Sequence, residues 1–189
     1  LNAINKHYQD EGYITTRAYV PEQDIADGSL DITVVPGTLD GFIYSSGASA
    51  DDRLLAAFPA KKGALLNLRD LEQGLENINA PRSASSTFQL TPGRETGASR
   101  VQVDVQDTRP WHADANFTNA DTGGGADTNL GLNFGLDNAI GLNDQLTLGF
   151  STAPFEDRTK KYSDSFNIGW NIPVGNWSYN VSAGASRYF

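Results

Sequence analysis

The sequence predicts two parts of different fold class: an α+β region built from β-α-α-β-β modules, then part of an antiparallel transmembrane β-barrel. Three observations carry this reading. Residues 1–107 hold helical apolar stripes between short strands, in an order that partly repeats. From Trp111 onward no helical pattern appears, and apolar residues recur at every second position. The polar half of that alternation is glycine, asparagine, serine and threonine, and residues 165–186 carry no charge at all.

In chain order, residues 1–11 read as the end of a helix. Leu1, Ile4 and Tyr8 share one face, and Gly12 fits the left-handed stop position. Strands are expected at 13–19 and 29–35. In the second, Leu30, Ile32 and Val34 alternate with Asp31 and Thr33, and Pro36-Gly37 ends it. Helix–strand–strand is the back half of a small α+β unit. A complete unit follows. A strand spans 39–45, Ser49 caps a helix over 50–58, and Pro59 lies past its end. Lys61-Lys62-Gly63 is a turn. Asn67 caps a second helix, with Asp70 at the favoured acidic position of its first turn. Leu68, Leu71, Leu75 and Ile78 give that helix a single apolar stripe. Strands are expected at 85–91 and 100–106, split by the turn Pro92-Gly93. The later one alternates Val101, Val103 and Val105 with Gln102, Asp104 and Gln106.

Beyond Trp111, segments 130–136, 146–150, 166–172 and 177–183 alternate cleanly, and 111–119 does so more weakly. These make five strands near the length a tilted membrane strand needs, about ten residues. A soluble sheet face calls for Lys, Glu, Arg and Thr, whereas small uncharged polar residues suit a crowded barrel interior. The other face, Leu132, Phe134, Leu148, Phe150, Ile168 and Trp170, is expected to meet lipid. A Lys or Arg there would cost about 2–4 kcal/mol at mid-bilayer. The connections are expected to alternate, with 119–129 and 154–162 long and outside, and 138–144 and 173–176 short and periplasmic. Trp111, Tyr162, Trp177, Tyr179 and Tyr188 fit an interfacial aromatic girdle.

The chain has 189 residues, no cysteine and a net charge of −9. A disulfide framework and a thiolate metal site are therefore excluded. The 14 basic side chains form no stripe, which argues against nucleic acid as a partner. Mean hydropathy is −0.41, which a barrel with a polar lumen also shows. No 18-residue apolar run marks a transmembrane helix. Both ends read as cut: Leu1 is not a start residue, and residues 181–189 still read as strand. Five strands leave an unpaired edge in lipid, so further strands are expected after Phe189.

Several runs resemble the polypeptide-transport-associated (POTRA) region and barrel of two-partner secretion transporters, the TpsB family of haemolysin-secretion and contact-dependent-inhibition type. They are Gly12-Tyr-Ile-Thr-Thr-Arg-Ala-Tyr-Val-Pro21, Val34-Val35-Pro36-Gly37, Asn67-Leu-Arg-Asp-Leu-Glu-Gln-Gly-Leu-Glu-Asn77, and the turn from Asp137-Asn138 to Gly141-Leu-Asn-Asp144. Ala139 departs from the proline usual in that turn. The resemblance implies the end of a first POTRA module at 1–36, a second at 37–108, and the first five strands of a sixteen-stranded barrel at 109–189. It implies a protein of the bacterial outer membrane with its POTRA region in the periplasm. It further implies transport of a secreted exoprotein, recognised through its N-terminal secretion domain, with neither ATP nor a cofactor. A barrel-assembly factor of the same superfamily is the alternative. The strand after the helices would be a sheet edge open to an unfolded client, through Ser85, Ser86, Thr87, Phe88, Gln89, Leu90 and Thr91, with Leu71 and Leu75 on the helix beside it.

No enzyme constellation emerges. Gly123-Gly-Gly-Ala-Asp127 with Asp121 is a single copy of a calcium-repeat-like run and reads as an extracellular loop. His112 and Asp114 share a strand face without a nucleophile and read as a lumen hydrogen-bonding pair. Glu72 and Glu76 read as a solvated helix face.

Overall fold

The computed structural model describes residues 1–25, 28–119, 128–155 and 162–188. The readings placed on 120–127 and 156–161 lie outside them. Two compact units form. One comprises Leu1–Ile78, Ser85–Gln106 and Val174–Asn176; the other comprises Asn79–Ala84, Asp107–Pro173 and Trp177–Phe189.

The first unit opens with α1 (Asn2–Asp10), which Gly12 ends at φ +90°. Strands β1 (Arg17–Tyr19) and β2 (Thr33–Val35) follow and pair antiparallel. Both are shorter than the alternation predicts. Turn hydrogen bonds use the backbone of 13–16: Tyr13 N to Tyr8 O, Ile14 N to Gly12 O and Thr16 N to Tyr13 O. Asn5 fastens α1 to β1, donating to Ala18 O at 3.0 Å and accepting from Ala18 N at 2.7 Å.

Next come β3 (Thr38–Tyr44), α2 (Asp52–Ala57), α3 (Leu68–Asn79), β4 (Ala84–Pro92) and β5 (Ala98–Asp107). This is the expected β-α-α-β-β order. The cap of α2 differs from the sequence reading: Asp51, not Ser49, accepts from Leu54 N at 3.1 Å. Ser49 instead forms an antiparallel bridge with Ile43, which commits its backbone to strand geometry. Asn67 does cap α3, accepting from Arg69 N at 2.9 Å.

Strand order is β3-β5-β4, with β5 central and parallel to β3. Leu39, Phe42, Val101 and Val103 from the sheet meet Leu54, Ala57, Phe58, Leu66, Leu71 and Ile78 in one core. Phe42 stacks on Phe58 at 4.3 Å, and Gly74 lies against the Phe58 ring. On the same side of α3, Asn77 Nδ2 donates to Ala57 O at 2.6 Å and to Gly175 O at 2.7 Å.

The second unit is a five-stranded antiparallel meander, β6 (Trp111–Asn119), β7 (Thr128–Asp137), β8 (Gln145–Thr152), β9 (Ser163–Val174) and β10 (Trp177–Tyr188). The β7–β8 turn is closed from within. Asn138 N donates to Asp144 O, Asn143 N to Asn138 Oδ1 and Ile140 N to Asp144 Oδ1. Asn138 and Asn143 take left-handed backbone at φ 54° and 58°, which asparagine tolerates better than most residues.

Candidate functional site

The two edges of the β3-β5-β4 sheet differ. At β3 the outer side is covered. Thr38 bridges Leu65, Ile43 bridges Ser49, Leu39 N donates to Ala64 O, and Gly63 N donates to Leu39 O. A register shift between Leu39 and Gly41 breaks its regularity. Asp40 on β3 accepts from Arg100 at 2.6 Å, with Arg94 at 3.7 Å and Lys62 at 3.9 Å. The Arg100 hydrogen bond holds the Asp40 carboxyl below its usual range, and the charges of Arg100, Arg94 and Lys62 add to the effect. Asp104 on β5 is likewise lowered, first by the hydroxyl of Ser45 and then by Gln106. Bulges, charges and covering loops are the usual means of blunting a strand edge.

At β4 the situation is the reverse. It neighbours only β5, and among the described residues no isolated bridge falls on its outer side. Its side chains alternate as the pleat requires. Ser86 is buried, and Phe88 and Leu90 pack against the core, while Ser85, Thr87 and Gln89 are exposed. Thr91 Oγ1 donates to Arg100 O at 3.3 Å. On α3, Leu71 is fully buried, whereas Leu75 is only partly buried against the same core. Leu71 therefore supports the helix from beneath, and Leu75 is the stripe residue with surface to offer. Glu72 and Glu76 are exposed on that helix.

In the meander, strand register sorts side chains into rows. Ala113, Phe134, Leu148 and Ile168 form one row, and Ala115, Leu132, Phe150 and Phe166 the next. Leu132, Phe134, Phe150 and Ile168 are exposed on this apolar face, and Leu148 is half-buried. Trp170, in the row of Leu136 and Leu146, is also half-buried. Its indole N–H donates at 2.9 Å to Asp144 Oδ2, so the ring is tied to the β7–β8 turn.

The opposite face carries Asp114, Asn116, Asn133, Thr147 and Asn167 among glycines. Four strand glycines there lie against the polar residue opposite: Gly131 under Asn116, Gly135 under the His112 ring, Gly149 under Asn167, and Gly169 beside Thr147. The expected pairing of His112 with Asp114 is not what forms. Asp114 accepts from Asn133 Nδ2 at 3.0 Å, its cross-strand partner, and His112 lies along its own partner Gly135. Register decides this, because residues directly opposite across a ladder are closer than those two apart on one strand.

A β-α-α-β-β unit followed in the chain by an amphipathic antiparallel meander has the fold expected of a POTRA module followed by strands of a β-barrel. Three family models match in chain order. They are a ShlB-type POTRA domain at residues 1–37, a POTRA domain at 42–92, and the haemolysin secretion/activation protein family ShlB/FhaC/HecB at 97–189. The chain is 37% identical over 183 residues to the outer membrane transporter CdiB-2 of Burkholderia pseudomallei, covering 94% of this chain and 30% of that protein. It is 32% identical over 190 residues to the outer membrane transporter CdiB of Dickeya dadantii, covering 100% and 33%. The solved structure of CdiB from Escherichia coli superposes with a TM-score of 0.87 at 29% identity, covering 99% of this chain and 35% of that one. The chain belongs to the two-partner secretion transporter family of the outer membrane, with its POTRA region in the periplasm. It spans about a third of the length of the curated relatives it matches.

Sequence reasoning found β4 and the apolar rows. It missed the covered edge at β3, whose signal lies in pairing between a strand and the loops at 46–50 and 61–66.

Proposed function

We propose that the chain is part of a transporter, not an enzyme, that takes a secreted exoprotein from the periplasm through its β-barrel without ATP. Residues 1–36 end a first POTRA module, 37–108 form the second, and 109–189 supply the first five barrel strands. The client is a TpsA-type protein, received through its N-terminal secretion domain. It adds as an extended segment to β4, along Ser85, Ser86, Thr87, Phe88, Gln89, Leu90 and Thr91, with Leu75 alongside and Leu71 beneath. The observation that supports this docking edge is the contrast between β4 and the covered β3. Strand addition uses backbone donors and acceptors and so accepts many sequences. Leu132, Phe134, Leu148, Phe150 and Ile168 face lipid, and Trp170 stands at the periplasmic border of the bilayer.

Gln89→Pro tests the docking. Proline removes an N–H and obstructs an incoming strand, and edge strands tolerate it best. The measurement is affinity of the client's secretion domain for the purified transporter, with circular dichroism to verify the fold. Weaker binding by a folded variant is expected. Unchanged affinity would rule out docking through this backbone.

A further inference from the structure

The two modules of the first unit meet at a joint with almost no slack. Only Pro36-Gly37 separates β2 from β3. Gly37 N donates at 3.0 Å to the buried Thr16 Oγ1, Gly37 O accepts from Leu66 N, and a Cβ on Gly37 would fall 1.9 Å from Thr15 Oγ1.

The second contact joins two helix ends. The C-terminus of α1 leaves carbonyls without helical partners, and the N-terminus of α3 leaves N–H groups without them. Here the two carbonyls just past the end of α1, those of Glu11 and Gly12, meet the start of α3. Leu68 N donates to Gly12 O at 2.9 Å, and Asn67 Nδ2 donates to Glu11 O at 3.1 Å. The negative end of one helix dipole thus faces the positive end of the other, which is the favourable arrangement. Asn67 has two separable tasks. Its Oδ1 caps α3 through Arg69 N, and its Nδ2 reaches across the joint to Glu11. Gly12 makes the approach possible: a Cβ there would lie 2.5 Å from Asn67 Oδ1. Because Asn5 already ties α1 to β1, the contact continues from the first module's sheet into α3.

We infer that Asn67 is a positioning residue that locks residues 1–36 to the second module as one rigid arm. Its consequence for secretion, that β4 is presented to the client in one orientation, rests on the docking proposed above; the locked joint itself does not.

Asn67→Asp separates the two tasks. The carboxylate still caps α3, but it cannot donate and it sets negative charge against the Glu11 and Gly12 carbonyls. Asn67→Ser does the same without charge, since its hydroxyl caps but is too short to span the joint. Asn67→Ala loses both tasks. Gln9→Cys and Glu76→Cys, both exposed, carry spin labels in the purified full-length transporter, and these 189 residues hold no cysteine to compete. The parent should give one narrow label-to-label distance. Asn67→Asp and Asn67→Ser should broaden it while the thermal melt stays near the parent's, whereas Asn67→Ala should broaden it and also lower the melt. A distribution as narrow as the parent's in the two capping variants overturns the lock, as does a loss confined to the melting temperature. If the lock holds while client affinity is indifferent to Gln89→Pro, the docking reading fails and the joint stands.

Discussion

Replacing Gly74 with alanine sets two effects against each other. Alanine removes the cost of glycine in a helix interior, worth about 1 kcal/mol. It also places a Cβ 2.0 Å from Phe58 Cδ1, 2.3 Å from Cε1 and 2.5 Å from Cγ. Comfortable carbon–carbon contact needs about 3.5–4.0 Å. The ring has little room to retreat, because Phe58 is 3% exposed and stacks on Phe42 at 4.3 Å. Overpacking a closed core costs about 1–3 kcal/mol, and an overlap with three ring atoms belongs to the upper part of that range, about 2–3 kcal/mol, so the sterics win and the net loss is about 1–2 kcal/mol. At about 4–8 °C per kcal/mol for a domain of this size, the melting temperature falls by roughly 5–15 °C. Thermal melts of residues 1–108, followed by far-ultraviolet circular dichroism, measure it. A Phe58→Leu background relieves the overlap, so Gly74→Ala should cost less there. Equal or greater stability of Gly74→Ala in the parent would refute the packing of α3 on Phe58. An identical cost in both backgrounds would refute Phe58 as the cause.

Cysteines placed singly along β7 of the full-length protein in bilayers should alternate, with 132 and 134 reached by a lipid-soluble quencher and 133 by a water-soluble reagent; uniform water access would remove the barrel reading. The Asp40 carboxyl titrates below its ordinary value of 3.8, so its contribution to stability is present above that value and is lost as the pH falls through the lowered one. Between about pH 5 and about pH 3 the parent's urea midpoint should therefore fall further than that of Asp40→Asn, and parallel curves would show that the Arg100 pair adds nothing.

The meander was the most legible part, because period-2 alternation fixes both the strand and its two faces. Leu130 to Leu136 and Phe166 to Ile172 lie within β7 and β9. Helix α3 was legible because Asn67 and the Leu71–Ile78 stripe report the same element. Local signals misled where long-range pairing won. Ser49 is a good cap residue, but bridging Ile43 took it out of reach of α2. The alternation of Leu30 and Ile32 extends past the paired part of β2, which begins at Thr33, and both residues are exposed. At the candidate site, the sequence showed which residues lie on β4, but the openness of that edge depends on what covers β3. His112 and Asp114 were paired by sequence proximity, whereas the β6–β7 register assigned each a different partner.

On the proposed reading that their face lines the barrel, the three glycines that lie beneath polar side chains bear on the width of the passage. With that face turned to the lumen, Asn116, His112 and Asn167 lie along the wall instead of standing out from it, so the bore there follows the backbone rather than side-chain length. A methyl group at Gly131, Gly135 or Gly149 would fall 2.0–2.3 Å from the side chain above and push it toward the axis. On the proposed reading such a change would narrow the channel by displacing a side chain, without adding charge. On that reading, calibre in this part of the wall is encoded by residues that contribute no side chain to it.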